Sequence, residues 1–178
     1  MSRRQRNALI GIATVLAVLS PATAAQAAGS ANTTVTFTVS AGSLDITAPA
    51  TIDLGAVAAG ATVTGLIGPV TVTDARADAV ATWTATVGTT DFVNGASTIP
   101  KADATYWSGP ATASTPAAGF TPGQPTAGDA VALTAVVTAF SFSGSGGNTA
   151  TWNPTLSVAV PLTAVTGVYT GTVTHSVS

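Results

Sequence analysis

The sequence contains no cysteine and no glutamate, and it has a single histidine among its 178 residues. Without cysteine there can be no disulfide framework, so a hydrophobic core has to hold the fold. Charged residues make up only 7% of the chain, with five Lys and Arg against seven Asp. Nucleic acids and anionic membranes are bound mainly through clustered Lys and Arg, so this composition argues against both partners.

The N-terminus has the three features of an export signal. Residues 2–6 carry three arginines, residues 9–19 are an apolar run, and Ala25-Gln26-Ala27 has the small-x-small form of a cleavage site. The apolar run is shorter than the ~20 residues that a membrane-spanning helix needs. We therefore predict a signal peptide over residues 1–27, cleaved after Ala27 and followed by a short leader over residues 28–33.

The exported chain is expected to be weakly charged and free of the membrane. It keeps two cations, Arg76 and Lys101, and all seven Asp, which gives a net charge of 2 − 7 = −5. A surface made mostly of Thr, Ser, Ala and Gly suits a protein that is packed into a wall or layer. No sorting motif or second apolar span follows the signal. We therefore expect an extracellular protein whose attachment to any surface is non-covalent.

After the leader, apolar residues alternate with Thr and Ser along much of the chain. This two-residue period is typical of β-strands with one buried face, and β-branched residues favour strands. No helical period is visible, so the sequence predicts a single all-β sandwich domain over residues 34–178, with about nine or ten strands. The predicted strands are residues 34–39, 43–47, 51–54, 62–64, 70–74, 80–87, two short edge strands within 97–107, then 130–142, 155–160 and 168–177.

Two strands show the clearest alternation. In residues 80–87, Trp83 shares a face with small apolar residues, and it is predicted to be the central core tryptophan. In the closing strand, Tyr169, Val173, His175 and Val177 share one face and are predicted to point inward.

Turn signals separate the predicted strands. Asn94-Gly95 predicts a tight turn. Residues 108–129 contain four Pro and four Gly, and this composition predicts a long surface loop that is mobile relative to the sheets.

Residue patterns for catalysis or metal binding are sparse. A Ser-His-Asp triad needs a histidine beside an activated serine, and the single histidine is instead predicted to be a half-buried sheet residue. No Gly-x-Ser-x-Gly elbow is present. Asp74 and Asp78 are predicted to lie on a solvated loop, and no calcium-loop spacing occurs. We therefore expect a protein that is not an enzyme and that uses no cofactor or metal.

Three aromatic residues remain as possible ligand contacts: Tyr106, Trp107 and Trp152. Exposed aromatic rings can stack on sugars, whereas burial beneath the 108–129 loop would make the same residues part of the core. Both readings stay open from the sequence.

Several stretches resemble the signatures of WxL-domain surface proteins, which are secreted by Gram-positive bacteria, and the likeness is greater to the actinobacterial type. It covers roughly Leu44 to the end of the chain. The family's paired Trp-x-Leu motifs read Trp83-Thr84-Ala85 and His175-Ser176-Val177 here. The other stretches that carry the likeness are Asp74-Ala75-Arg76, Thr90-Asp91-Phe92, Ile99-Pro100, Tyr106-Trp107-Ser108-Gly109, Trp152-Asn153-Pro154 and Gly167-Val168-Tyr169.

The resemblance implies an immunoglobulin-like β-sandwich that attaches non-covalently to the cell wall, through peptidoglycan or wall polysaccharide. Its candidate ligand or motif positions in this chain are Trp83, Tyr106, Trp107, Trp152, Tyr169 and His175. One alternative function is a structural subunit or strand-exchange partner of a surface assembly, because Thr-rich strand edges can pair with strands of other surface proteins. A second alternative is a carbohydrate-binding module that uses the end loops.

Overall fold

The computed structural model describes residues 30–178. The predicted signal peptide, residues 1–27, lies outside these residues. The chain divides into two compact units, Met1–Phe37 and Thr38–Ser178. Of the first unit the structure describes residues 30–37, which are exposed and form no strand. Every described strand belongs to the second unit.

The described part of the chain is all-β. It has no α-helix, only two 3-10 turns, Lys101–Asp103 and Ala127–Asp129, and none of its helices is long and apolar enough to cross a membrane. Its fourteen strands are β1 (Leu44–Thr47), β2 (Thr62–Leu66), β3 (Val70–Asp74), β4 (Ala81–Thr89), β5 (Phe92–Asn94), β6 (Ser97–Ile99), β7 (Ala104–Trp107), β8 (Ala111–Thr115), β9 (Phe120–Pro122), β10 (Val131–Ala132), β11 (Val137–Gly144), β12 (Asn148–Trp152), β13 (Thr155–Ala159) and β14 (Val173–Val177).

These strands form four antiparallel sheets. Sheet I has the order β1-β3-β12-β8, sheet II β10-β7-β13-β2, and sheet III β14-β4-β11-β9, while the β5-β6 hairpin forms sheet IV. The hairpin turns at Gly95, whose φ of 57° is readily adopted by glycine. This observation confirms the turn that Asn94-Gly95 predicts.

Sheets I and II are joined by three chain segments in matching order. The strand pairs β2/β3, β13/β12 and β7/β8 are consecutive in the chain, and their members occupy corresponding positions in the two sheets. Each junction contains a proline: Pro69, Pro154 or Pro110. Proline has no backbone N–H and cannot continue a ladder, so each strand ends there and resumes in the next sheet. Sheets I and II are therefore two halves of one interrupted layer.

One hydrophobic core receives side chains from all four sheets. The rings of Phe140 in sheet III and Trp152 in sheet I are stacked with centroids 4.7 Å apart. The indole of Trp83 in sheet III stacks on Phe142 of the same sheet and reaches Asn148 of sheet I. The layer made by sheets I and II thus packs against sheet III, and this arrangement is compatible with a β-sandwich.

Several strand predictions are confirmed. The predicted strands at 43–47, 62–64, 70–74, 80–87 and 155–160 correspond to β1, β2, β3, β4 and β13. Trp83 is 2% exposed, which confirms it as a core residue. In the closing strand the predicted inner face is half-buried and the Thr and Ser residues of the other face are exposed, as the alternation indicates.

Other predictions were wrong. Residues 34–39 and 51–54 form no strand, and the chain has more strands than the nine or ten expected. Residues 130–142 do not form one strand, because the chain turns between β10 and β11. The closing strand begins only at Val173. Of the two short strands expected at an edge within residues 97–107, β7 is internal, since it pairs with both β10 and β13.

The largest correction concerns residues 108–129, which are not one long surface loop. They contain β8, β9 and a 3-10 turn, and β8 and β9 pair with β12 and β11. Gln124 is buried and donates from its side chain to the carbonyl of Thr138 at 2.9 Å, and its backbone N–H donates to Ser108 Oγ. These hydrogen bonds pair the backbone N–H of Gln124 and the carbonyl of Thr138, and the Pro and Gly content of the segment does not predict such pairing.

Candidate functional site

Three candidate residues form a hydrogen-bonded chain between the sheets. The indole N–H of Trp152 donates to the hydroxyl of Tyr106 at 3.3 Å, and this hydroxyl lies 3.3 Å from Nε2 of His175. An indole nitrogen can only donate, and a tyrosine hydroxyl has a single proton. The hydroxyl therefore accepts from Trp152, and the direction of its hydrogen bond with His175 depends on which ring nitrogen of His175 carries the proton.

Burial favours the neutral forms of Tyr106 and His175, the two titratable residues of this hydrogen-bonded group. It lowers the pKa of His175 from 6.5 to about 4. It raises the pKa of Tyr106 above its ordinary value of 10, and the hydrogen bond from Trp152 opposes this only in part. Around pH 7 the ring of His175 is thus uncharged. The prediction that it is a half-buried sheet residue is confirmed.

His175 also lines a cavity of about 1000 Å³ in the unit Thr38–Ser178. Residues 48–59, which connect β1 to β2, form one wall, and residues 164–173, which lead into β14, form the other. The floor consists of core side chains: Ile67, Phe92, Ile99, Leu156 and Val158.

Tyr169 fixes the second wall of the cavity. Its hydroxyl accepts a hydrogen bond from the backbone N–H of Val165 and donates to the carbonyl of the same residue, each at 3.1 Å. Ser97 Oγ lies 2.7 Å away and can supply a second donor. Val93 and Thr170 exchange two backbone hydrogen bonds of 3.0 Å. The β5-β6 hairpin therefore holds residues 165–170 in place.

A close approach explains the glycine between Tyr169 and Val173. A Cβ atom at Gly171 would lie 2.6 Å from the ring of Phe92. Only glycine allows the chain to pass this ring and continue into β14.

A second polar network crosses the core at Trp83. Its indole N–H donates to Asn148 Oδ1 at 2.8 Å, and the Asn148 amide donates to Asp74 Oδ2 at 3.2 Å. Arg76 forms a two-point ion pair with Asp74, with Nε to Oδ1 at 2.8 Å and the terminal nitrogen to Oδ2 at 2.9 Å. Hydrogen bonding to Arg76 lowers the pKa of Asp74.

This network corrects the prediction that Asp74 lies on a solvated loop. Its side chain is buried at the end of β3, whereas Asp78 is exposed as expected. The two-residue spacing of Asp74 and Arg76 is the sequence feature that could have predicted the ion pair. The backbone N–H of Arg76 donates to the Asp74 carboxylate in a tight local turn, and this turn brings the two side chains together.

The structure separates the six candidate positions into three groups. Trp83, Tyr106 and Trp152 are buried, so burial is the correct reading for the last two, and none of the three can stack on an external sugar ring. Trp107 is half-buried and does not line the cavity. Tyr169 and His175 both line it. Sequence reasoning missed the 48–59 wall, because its residues were assigned partly to a strand.

The cavity is suited to binding. It combines apolar side chains with the hydroxyl groups of Thr51, Thr166, Thr170 and Thr172 and one carboxylate, Asp53. Among residues 30–178 no group of three or more His, Asp, Glu or Cys side chains is placed to hold a metal ion. Compared with known proteins, the sequence matches no family model and no curated protein.

Proposed function

We propose that this chain is a secreted, non-enzymatic protein of the bacterial cell surface that attaches non-covalently to the cell wall. The observation that carries the proposal is the cavity of about 1000 Å³ between residues 48–59 and 164–173. Its size is that of a typical ligand site, and its mixed lining suits a ligand with both apolar and polar surfaces. The antiparallel sheets would then form an immunoglobulin-like sandwich, the fold that the WxL resemblance implies.

The chemistry of the cavity supports peptidoglycan or wall polysaccharide as the ligand class. The rings of Tyr169 and His175 line the cavity, where they would contact the apolar side of a sugar ring. The threonine hydroxyls around them can donate to and accept from sugar hydroxyls and peptide groups. Asp53 is the one acidic residue in the lining, and it already accepts a hydrogen bond from the N–H of Gly55 at 2.8 Å. The lining therefore requires no strongly charged ligand.

A pull-down with purified peptidoglycan tests the proposal. The full chain is expressed with its predicted signal peptide, and the exported product is mixed with wall material and sedimented. Ala56→Glu places a bulky charged side chain on the exposed wall of the cavity, and Ala118→Glu makes the same change at an exposed residue outside it. We expect Ala56→Glu to bind about tenfold more weakly and Ala118→Glu to bind like the wild type.

Equal binding by both variants would show that the cavity is not the wall site. Absence of binding by the wild type would reject wall attachment. Fractionation of the producing cells adds an independent check, because the proposed protein should leave the wall on salt extraction.

N-terminal sequencing of the same material tests cleavage after Ala27, and an exported product that begins with Met1 would contradict it.

A further inference from the structure

Residues 34–39, called here the donor segment, have the pattern of a β-strand but no strand partner among the described residues. Val35, Phe37 and Val39 recur at every second position and are 79%, 85% and 69% exposed, while Thr occupies the positions between them. A row of three exposed large apolar side chains on one strand face is unfavourable in water and marks an interaction surface. The donor segment therefore has the composition of a strand that is buried in a complex.

The cavity has the complementary features. The strands that flank it, β2 and β14, are both edge strands: β2 pairs only with β13, and β14 only with β4, within residues 30–178. Each of these edges presents backbone N–H and C=O groups that a further strand can use. Val63 of β2 and Val173 of β14 point into the cavity, so a strand placed between them would also meet an apolar floor.

The rim of the cavity adds exposed apolar surface. Four large apolar residues of its two walls are exposed, and the most exposed of them, Val168, has 83% of its surface accessible. The four residues are Ile52, Val57, Val165 and Val168. Such a patch around an apolar floor fits an apolar strand face.

Length and charge agree with this pairing. A six-residue strand spans about 20 Å, and β2 and β14 have five residues each, so the donor segment matches their length. The donor segment has no charged residue, and the cavity lining has only Asp53. A chain with an expected net charge of −5 can therefore bring these two surfaces together without placing like charges opposite each other.

We propose that the donor segment of one copy adds as a strand to the cavity of a second copy, so that the protein assembles with itself by strand exchange. Val35, Phe37 and Val39 would enter the cavity, and the segment's backbone would pair with a free strand edge. Donor and acceptor are different surfaces of the same chain, so the contact is head-to-tail and produces a closed ring or an open chain of subunits. Predicted cleavage after Ala27 would leave only residues 28–33 ahead of the donor segment.

Self-association of the exported full-length product tests the proposal by sedimentation over a range of concentrations. The donor variant combines Val35→Thr, Phe37→Thr and Val39→Thr, which keeps β-forming residues but removes the apolar face. Its control, Thr36→Ser with Thr38→Ser, changes the opposite face. The acceptor variant, Val168→Asp, is matched by Val80→Asp, which alters a similarly exposed valine outside the cavity.

We expect the wild type and both controls to assemble with increasing concentration, and each of the two variants alone to remain monomeric. Sedimentation of a mixture of the donor and acceptor variants is the decisive measurement. The intact donor segment of one variant fits the intact cavity of the other, so the mixture should form a one-to-one heterodimer. A mixture that stays monomeric, a wild type that is monomeric throughout, or controls that dissociate like the variants would each overturn the proposal.

Cysteine pairs distinguish binding to a second copy from folding back within one chain. The native chain has no cysteine, so Val35→Cys in one copy and Thr170→Cys in another can form only a disulfide between copies. A disulfide that forms solely when both changes are in the same chain, even at high concentration, would contradict exchange. Because the donor segment and a wall ligand would compete for the same cavity, peptidoglycan binding is measured on the donor variant in parallel and should be at least as strong as in the wild type. Lost assembly with retained wall binding separates this proposal from the proposed wall function.

Discussion

The hydroxyl of Tyr106 lies 3.3 Å from Nε2 of His175 and thereby joins β7 of sheet II to β14 of sheet III. The two rings are tilted by 55° with centroids 5.9 Å apart. Trp152 completes the contact from sheet I by donating to the same hydroxyl. The single histidine of the chain therefore lies at a point where three sheets meet. Its environment explains why it is neutral.

Stability should fall between pH 6.5 and pH 4 because of His175. The folded state holds its pKa at about 4, below the ordinary 6.5, so in this interval the unfolded chain binds the proton more readily. The contribution is fully present above pH 6.5 and is lost as the pH falls towards 4. With about 1.4 kcal/mol per pKa unit, the loss reaches at most about 3 kcal/mol.

Urea unfolding at several pH values measures this dependence. His175→Gln removes the titrating group while keeping a side chain that can accept from Tyr106, and its stability should be nearly flat over the same interval. A wild type with the same flat profile would show that His175 titrates alike in both states.

Trp83→Ala should lower the free energy of unfolding by about 3–5 kcal/mol, because it leaves a large cavity in the core. Trp83→Phe keeps an aromatic ring but removes the N–H that bonds Asn148 at 2.8 Å. It should cost less, about 1–3 kcal/mol, for the buried carbonyl left unpaired. Chemical denaturation measures both values. Equal costs for the two variants would mean that the hydrogen bond, and not the packing, accounts for the role of Trp83.

Asp74→Asn should destabilise the protein by about 1–3 kcal/mol, since the buried carboxylate accepts from Arg76 and Asn148. Asp78→Asn, in the loop after β3, changes an exposed side chain and should have little effect. The lowered pKa of Asp74 also predicts that its contribution is present above the ordinary value of 3.8 and lost as the pH falls through the folded value. An unchanged thermal midpoint for Asp74→Asn would show that the hydrogen bonds of Asp74 do not stabilise the fold.

Amide exchange should be slow in parts of residues 108–129, contrary to what its Pro and Gly content indicates. The N–H of Gly123 donates to the carbonyl of Ala139 at 2.9 Å, and that of Gly109 to Gln124 at 3.0 Å. β8 pairs along its length with β12. Exchange measured by NMR or mass spectrometry should therefore show protection at Gly109, Gly123 and part of β8. Uniformly fast amide exchange over residues 108–129 would instead support the mobile loop that the sequence predicts.

The sequence by itself determined the all-β class and the faces of the long strands. Alternation is a local property, since successive side chains of any strand point to opposite sides. It therefore assigned Trp83 and the inner face of β14 correctly. It was wrong for residues 34–39, because a two-residue period shows that a segment can form a strand but not whether a partner edge is available.

Only the tertiary structure decided which distant groups meet. Tyr106 and His175 are separated by 69 positions, and Trp83 and Asn148 by 65, so no local pattern connects them. The prolines at 69, 110 and 154 are present in the sequence, but their joint role appears only when their strands are aligned in sheets I and II. The cavity depends in the same way on residues 48–59 and 164–173 lying opposite each other. Pairing across such separations follows from the packing of the whole core, which no single stretch of sequence specifies.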